Sequence, residues 1–307
     1  MAAGLHISIS AEKLFNVGGL DITNSMFTSM LVGVILIAFA FAVKSQLQST
    51  SKPKGIQNFA EIIIEALYDL VHGVTGDLKR TRLFFPFIST FFLVILLNNW
   101  LGLVPGVGTV RLLVDENKEV IEETANLEKT GIIEDAHASE TVIEEEIAPE
   151  TAETTQTEDS QETHKEAATT EHSGPVAVPL FRPGTADINT TLSLAIISII
   201  VTQFFGVKYL KMGYFKKFIN FSSPIMFFVG ILELISEFAK IVSFAFRLFG
   251  NIFAGEVLLV VMAFLFPVIL PMPFYGLEIF VGFIQALVFS MLTLVFFNMA
   301  TLSHDEH

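Results

Sequence analysis

Apolar runs separated by short polar clusters dominate the chain, and their lengths predict helices rather than strands. The first run, Met26 to Val43, is just long enough for a bilayer crossing, and Lys44, Lys52 and Lys54 follow it. Residues 56–77 carry a different pattern, with Glu61, Glu65 and Asp69 recurring every four positions against a broad face of Ile, Leu, Phe and Val. A single polar stripe on an apolar cylinder predicts an amphipathic helix at the membrane interface, closed by Lys79, Arg80 and Arg82. A second crossing is predicted over 83–104, ending at Pro105 and Gly106. A third is predicted over 190–210, after Asp187 and Asn189 and before Lys208, Lys211, Lys216 and Lys217.

Ser223 and Pro224 make a helix start, a side-chain cap followed by a ring that fixes the first helical φ. The helical pattern then continues to about Phe266, roughly 63 Å against a hydrocarbon layer of about 30 Å. Such a helix cannot stand upright, so it either tilts strongly or breaks at Gly230, Gly250 or Gly255; the unbroken, tilted form is the expectation. PVILPMP, residues 267–273, is predicted to turn the chain, and a partner helix over 276–300 leads into the polar tail TLSHDEH. The pattern is that of an all-α polytopic membrane protein with one interfacial helix and a long, tilted helical hairpin over 224–266 and 276–300.

Hydrophobic residues make up 52% of the 307, and 31 of them are Phe, more than a soluble core requires. The net charge of −14 is concentrated in one place: residues 114–172 hold 19 acidic and 3 basic side chains, and the rest of the chain is slightly positive. A segment this polar, like-charged and poor in aromatics cannot offset its ordering entropy. Residues 114–180 are therefore expected to be a disordered, solvated insert between an N-terminal membrane part, 1–113, and a C-terminal one, 181–307. The basic clusters at 44–82 and 208–217 predict cytoplasmic loops, which puts the N-terminus and the insert outside and the C-terminus inside. MAAGLHISIS has no basic n-region and no small-residue cleavage site follows the first run, so that run is read as a retained helix. There is no Cys, the seven His show no ligand spacing, and no GxxxxGK[ST] loop is present, so no metal, redox or nucleotide cofactor is expected.

Ionisable groups stand inside the longest apolar pattern, in SFAFRLFGNIFAGEVLLVV, residues 243–261. An arginine at membrane depth costs at least about 2.5 kcal/mol and cannot shed its proton, so something must compensate it. On a helix Arg247, Gly250, Asn251 and Ala254 share one face, a strip narrow enough for another helix to approach. Glu256 lies about 13.5 Å further along and points to the opposite side, so the two charges are not an ion pair. On the partner helix Glu278 and Gln285 share a face about 10.5 Å apart. With Gln285 level with Arg247, Glu256 and Glu278 fall within about 3 Å of one depth, outward of the arginine, an arrangement suited to an ion pathway. Glu233, Glu237 and Lys240 read as a solvated or interfacial helical cluster, with an inner ion path as the alternative. Asp187, Asn98 and Asn99 either cap helix ends or line the path.

RLFGNIFAGE, residues 247–256, together with GFIQALVFSMLTLVFFNMA and PGTADINTTLSLA, resembles the a subunit of the rotary F-type ATP synthase membrane sector, over essentially the whole chain except the acidic insert. The resemblance implies a non-catalytic stator subunit whose hairpin wraps a rotating ring of c subunits. It implies two offset half-channels, with Arg247 as the essential arginine facing the ring carboxylates. Asn251 and Gln285 match its polar neighbours, Glu256 and Glu278 the inlet half-channel, and Asn99, Asp187 and Asn189 further polar positions of the proton pathway. The partners implied are the c-ring, b-type peripheral-stalk subunits, membrane lipid and, indirectly, the soluble F1 sector, with no nucleic acid. The location implied is an energy-transducing membrane, the bacterial inner membrane above all. Two departures stand out. Bacterial relatives often have His at the position of Glu278, so two carboxylates sharing a proton are expected here. Gly102 stands where some relatives have an acid.

Overall fold

The computed structural model describes residues 11–17, 20–45, 55–104, 111–114, 176–211, 213, 214, 218, 224–266 and 269–302. The predicted features at Lys52, Lys54, Pro105, Gly106, Lys216, Lys217, Ser223, most of the acidic insert, the start of the 267–273 turn and most of the polar tail lie outside the described residues. The chain divides into two units, Met1–Arg111 with Pro179–His307, and Leu112–Val178.

In the first unit a hairpin of β1 (Lys13–Val17) and β2 (Leu20–Thr23) leads into α1 (Asn24–Ser45), α2 (Ile56–Thr75) and α3 (Leu78–Gly102). After the insert come a 3₁₀ turn at Gly184–Ala186, α4 (Ile188–Leu210), α5 (Pro224–Leu265) and α6 (Pro271–Thr301). Strands β3 (Arg111–Val114) and β4 (Val176–Pro179) pair with each other. The molecule is an all-α polytopic membrane protein, as the apolar pattern predicts; α1, α3, α4, α5 and α6 are each long and apolar enough to cross a membrane. The two strand pairs are additions that the hydropathy pattern did not signal.

Helix boundaries moved where polar residues belong to a helix. Gly76 takes the left-handed conformation at φ 64° and donates its N–H to the carbonyl of His72, which stops α2 at Thr75 rather than 77. Asp77 then caps α3 by accepting from the N–H of Lys79 at 3.1 Å. Lys79, Arg80 and Arg82 therefore lie in the first two turns of α3, which begins five residues before the predicted 83, and do not close α2. Likewise Pro271 and Pro273 are the first turn of α6, so the partner helix starts ahead of 276 and takes up the end of the predicted turn. The long helix α5 is continuous over its 42 residues, with no break at Gly230, Gly250 or Gly255.

Aromatic packing holds the bundle. Phe91, Phe92 and Ile95 of α3 meet Ala195 of α4, Phe244, Ala245 and Leu248 of α5, and Ala286 and Phe289 of α6 in one buried cluster. A second cluster joins α2, α3, α4 and α6 through Val71, Phe84, Phe205 and Phe297, the three rings meeting edge-on at 5.0 to 5.5 Å. These contacts fix which face of α5 looks inward, and so fix where its arginine looks.

A candidate ion-translocation site

The inward face of α5 is apolar: Phe244, Ala245, Leu248 and Ile252 are all buried. Arg247, Gly250, Asn251 and Ala254 fall on the opposite side and are exposed, as the 3.6-residue period requires. The Arg247 guanidinium has no hydrogen-bond or ion-pair partner among the described residues. Asn251 reaches across to α6, its amide donating to Gln285 Oε1 at 2.8 Å.

The two helices also meet where Glu278 lies against Gly255. A Cβ on Gly255 would come within 2.1 to 2.2 Å of the Glu278 carboxyl atoms, so the bare backbone is what admits the acid between the helices. Glu278 is buried, and its Oε1 has no hydrogen-bond partner among the described residues.

Glu256 does stand near the depth of Glu278, as expected, but no hydrogen bond joins the two acids. The expected proton-sharing pair is replaced by an ion pair with Arg182, whose Nε lies 3.2 Å from Glu256 Oε2. Arg182 is 6% exposed, and its backbone N–H donates to Thr28 of α1. Sequence reasoning missed this arginine. Its signal was available in VAVPLFRPGTAD, residues 176–187, a lone cation beside a membrane crossing, but its partner lies 74 residues away.

Around this pair the 3₁₀ turn brings together a layer of buried polar side chains. Asp187 both caps α4, accepting from the N–H of Asn189 at 3.1 Å, and accepts from Ser25 Oγ at 2.8 Å, so it serves as cap and as part of the layer. Asn99 donates to the carbonyl of Gly282 at 3.1 Å and accepts from Thr185 Oγ1. Asn98 accepts from Ser29 at 3.1 Å. Gly184 is required here, since a Cβ would come within 2.1 Å of Ser29 Oγ. Asn189 stands outside the layer: it is exposed and engaged through its backbone. Gly102, at the position where some relatives have an acid, packs on Pro183, and a Cβ would come within 2.1 Å of the ring.

Toward the other end of α5, Lys240 Nζ meets Glu237 Oε1 at 2.8 Å and lies 5.0 Å over the Phe296 ring. The predicted helical pair forms, but Glu237 is buried rather than solvated. Nearby, burial and the negative charges of Glu237 and Glu233 push the Tyr214 hydroxyl up to about 12. Among the described residues no group of three or more His, Asp or Glu side chains could hold a metal ion.

Comparison with known proteins bears on this arrangement. The chain is 29% identical over 302 residues, 98% of its length and 93% of the relative's, to a protein of Gloeobacter violaceus named ATP synthase subunit a. Proteins of the same name from Citrifermentans bemidjiense and Campylobacter jejuni are 26% and 25% identical, over 87% and 94% of this chain and 82% and 96% of their own. The model of the ATP synthase A chain family matches residues 26–298, a span that contains every residue named in the layer except Ser25. With these matches over nearly all of its length, the chain belongs to the ATP synthase A chain family, as a subunit a of the F-type ATP synthase membrane sector.

Proposed function

We propose that this chain carries protons across the membrane through two offset half-channels against a rotating ring of c subunits, coupling the ion gradient to ATP synthesis in the soluble sector. The observation that carries the reading is the outward, unpartnered guanidinium of Arg247 on a face of small residues. A permanent cation in a low-dielectric setting needs an anion, and none of the described residues supplies one. A ring carboxylate arriving deprotonated on that face would be stabilised there, and the same charge would block cations from passing directly between half-channels. Protons must then travel on the ring, each releasing about 2.3 kcal/mol per 100 mV.

The inlet half-channel in this reading runs through the buried polar layer to Glu278. Glu278 is the proton-carrying acid, and Glu256, held by Arg182, fixes the charge beside it. Asn99 and Asp187 line the path, Asn189 stands at its outer mouth, and Asn251 with Gln285 orders the approach to Arg247. The basic clusters at 44–82 and 208–217 favour an orientation with the N-terminus and the insert outside and the C-terminus in the cytoplasm, and in this reading b-type subunits of the peripheral stalk complete the stator. The test is ATP-driven proton pumping by the reconstituted holoenzyme carrying Arg247→Ala. Pumping should vanish; normal coupled transport in that variant would overturn the reading.

A further inference from the structure

Lys79 and Leu83 of α3 and Lys208 and Tyr209 of α4 line an open cavity of about 320 Å³. Both helices are long and apolar enough to cross a membrane, and the cavity lies where α3 begins and α4 ends. It therefore sits at a membrane boundary, the depth of lipid headgroups.

Two lysines, one from each helix, line it, and among the described residues neither has a carboxylate partner. Asp77, the acid nearest in sequence to Lys79, is occupied as the cap of α3 and lies 3.9 Å from Arg80. The Tyr209 hydroxyl likewise has no hydrogen-bond partner among the described residues. The basic residues that open α3 oppose the positive end of the helix's own dipole. A bound anion reverses that cost, because helix end and lysines then act together.

The surface leading away from the lysines is apolar and exposed. Lys208 Nζ lies 5.9 Å from the centre of the Phe204 ring. Phe204 and Phe87 flank the buried Phe205 ring edge-on at 5.7 and 5.4 Å, giving a continuous aromatic strip. Phe204 is 59% exposed and Phe87 39%. A soluble anion would use only the basic end of this surface; an amphiphile uses both.

We propose that this cavity binds the headgroup of an anionic phospholipid, its phosphate between Lys79 and Lys208 with a hydrogen bond from Tyr209, and an acyl chain laid along Leu83, Phe204 and Phe87. The inference rests on the membrane location of the chain and not on its proton path. The full-length chain is reconstituted in nanodiscs of phosphatidylcholine with a minor fraction of phosphatidylglycerol of the same acyl chains, then released, and its retained lipid is measured by native mass spectrometry. Phosphatidylglycerol should be enriched over phosphatidylcholine, and K79Q/K208Q should lose the enrichment, by roughly five-fold for each lysine. K79R/K208R should keep it, and excess orthophosphate should not displace the lipid. Equal retention of the two lipids, or unchanged enrichment in K79Q/K208Q, overturns the proposal; displacement by orthophosphate reassigns the cavity to a soluble anion and overturns it too. Should the double variant not fold, the single variants K79Q and K208Q serve, and no change in either overturns it.

Discussion

Arg182 and Arg247 act on α5 nine residues apart, and their surroundings are opposite. Arg182 comes from the loop before α4, is buried, and has Glu256 3.2 Å away. Arg247 projects from α5 itself, is exposed, and has no partner among the described residues. Both are permanent cations in a chain whose surroundings are lipid, so both need an anion. One finds it inside the chain and becomes part of the fold; the other finds none among the described residues and, in the proposed function, is answered by a surface of another subunit. The same residue type thus reads as structural or functional according to whether its own chain completes it.

The comparison makes its strongest demand at Arg247. Beyond stopping proton pumping, Arg247→Ala should leave the thermal unfolding of the chain within about 0.5 kcal/mol of the natural protein, since the exposed guanidinium has no hydrogen bond or ion pair among the described residues to lose. A large destabilisation, seen by scanning calorimetry, would make Arg247 a structural group like Arg182. Arg182→Gln should do the converse and destabilise the chain measurably. Breaking a fully buried pair costs about 3–5 kcal/mol, and the partial exposure of Glu256 reduces this to roughly 2 kcal/mol. The double variant R182Q/E256Q should recover part of that loss, because it leaves no unpaired charge; an equal loss would argue against the pair.

Gly255→Ala tests the neighbouring acid. The added methyl meets the far end of the Glu278 side chain, which must swing aside, and pumping should slow roughly ten-fold with that group displaced. Pumping at the natural rate would remove Glu278 from the path. The smallest effect lies in the β1–β2 hairpin. The Asp21 carboxyl is held below its ordinary value of 3.8, chiefly by its hydrogen bond to Lys13 and then by that from Asn16. Its contribution is therefore present above the unfolded value and is lost as pH falls through the lowered one. Amide exchange in β1 and β2 should quicken only below about pH 4, and Asp21→Asn should abolish that dependence.

Much of the fold is legible in the apolar runs, because a bilayer demands long uninterrupted helices and the sequence must supply them. The misplaced boundaries have a common cause. The LKRTR start of α3 and the PMP start of α6 are helical through a cap and a proline ring, not through hydropathy. At the site, the shared face of Arg247, Asn251 and Ala254 follows from helical period alone, as does the pairing of α5 with α6. The Asn251–Gln285 hydrogen bond and the seat of Glu278 against Gly255, where the missing Cβ leaves room, did not follow from periodicity. Arg182 stood out only as a lone cation before α4, and its pairing was illegible: its partner is set by the path of the chain after the insert, which no local pattern encodes. The two strand pairs are too short to announce themselves by alternation.

The central claim is that the Arg247 face of α5 meets the ring, and the absence of cysteine from the natural chain permits a background-free test of it. A holoenzyme carrying Ala254→Cys and, in turn, Ile252→Cys is paired with a c subunit bearing a single cysteine beside its ion-binding carboxylate, and disulfide formation is followed under oxidation. Ala254→Cys should cross-link to the ring and block rotation, while Ile252→Cys, on the buried face, should not. Cross-linking from residue 252 in preference to 254, or from neither in an assembled and active complex, would contradict the account.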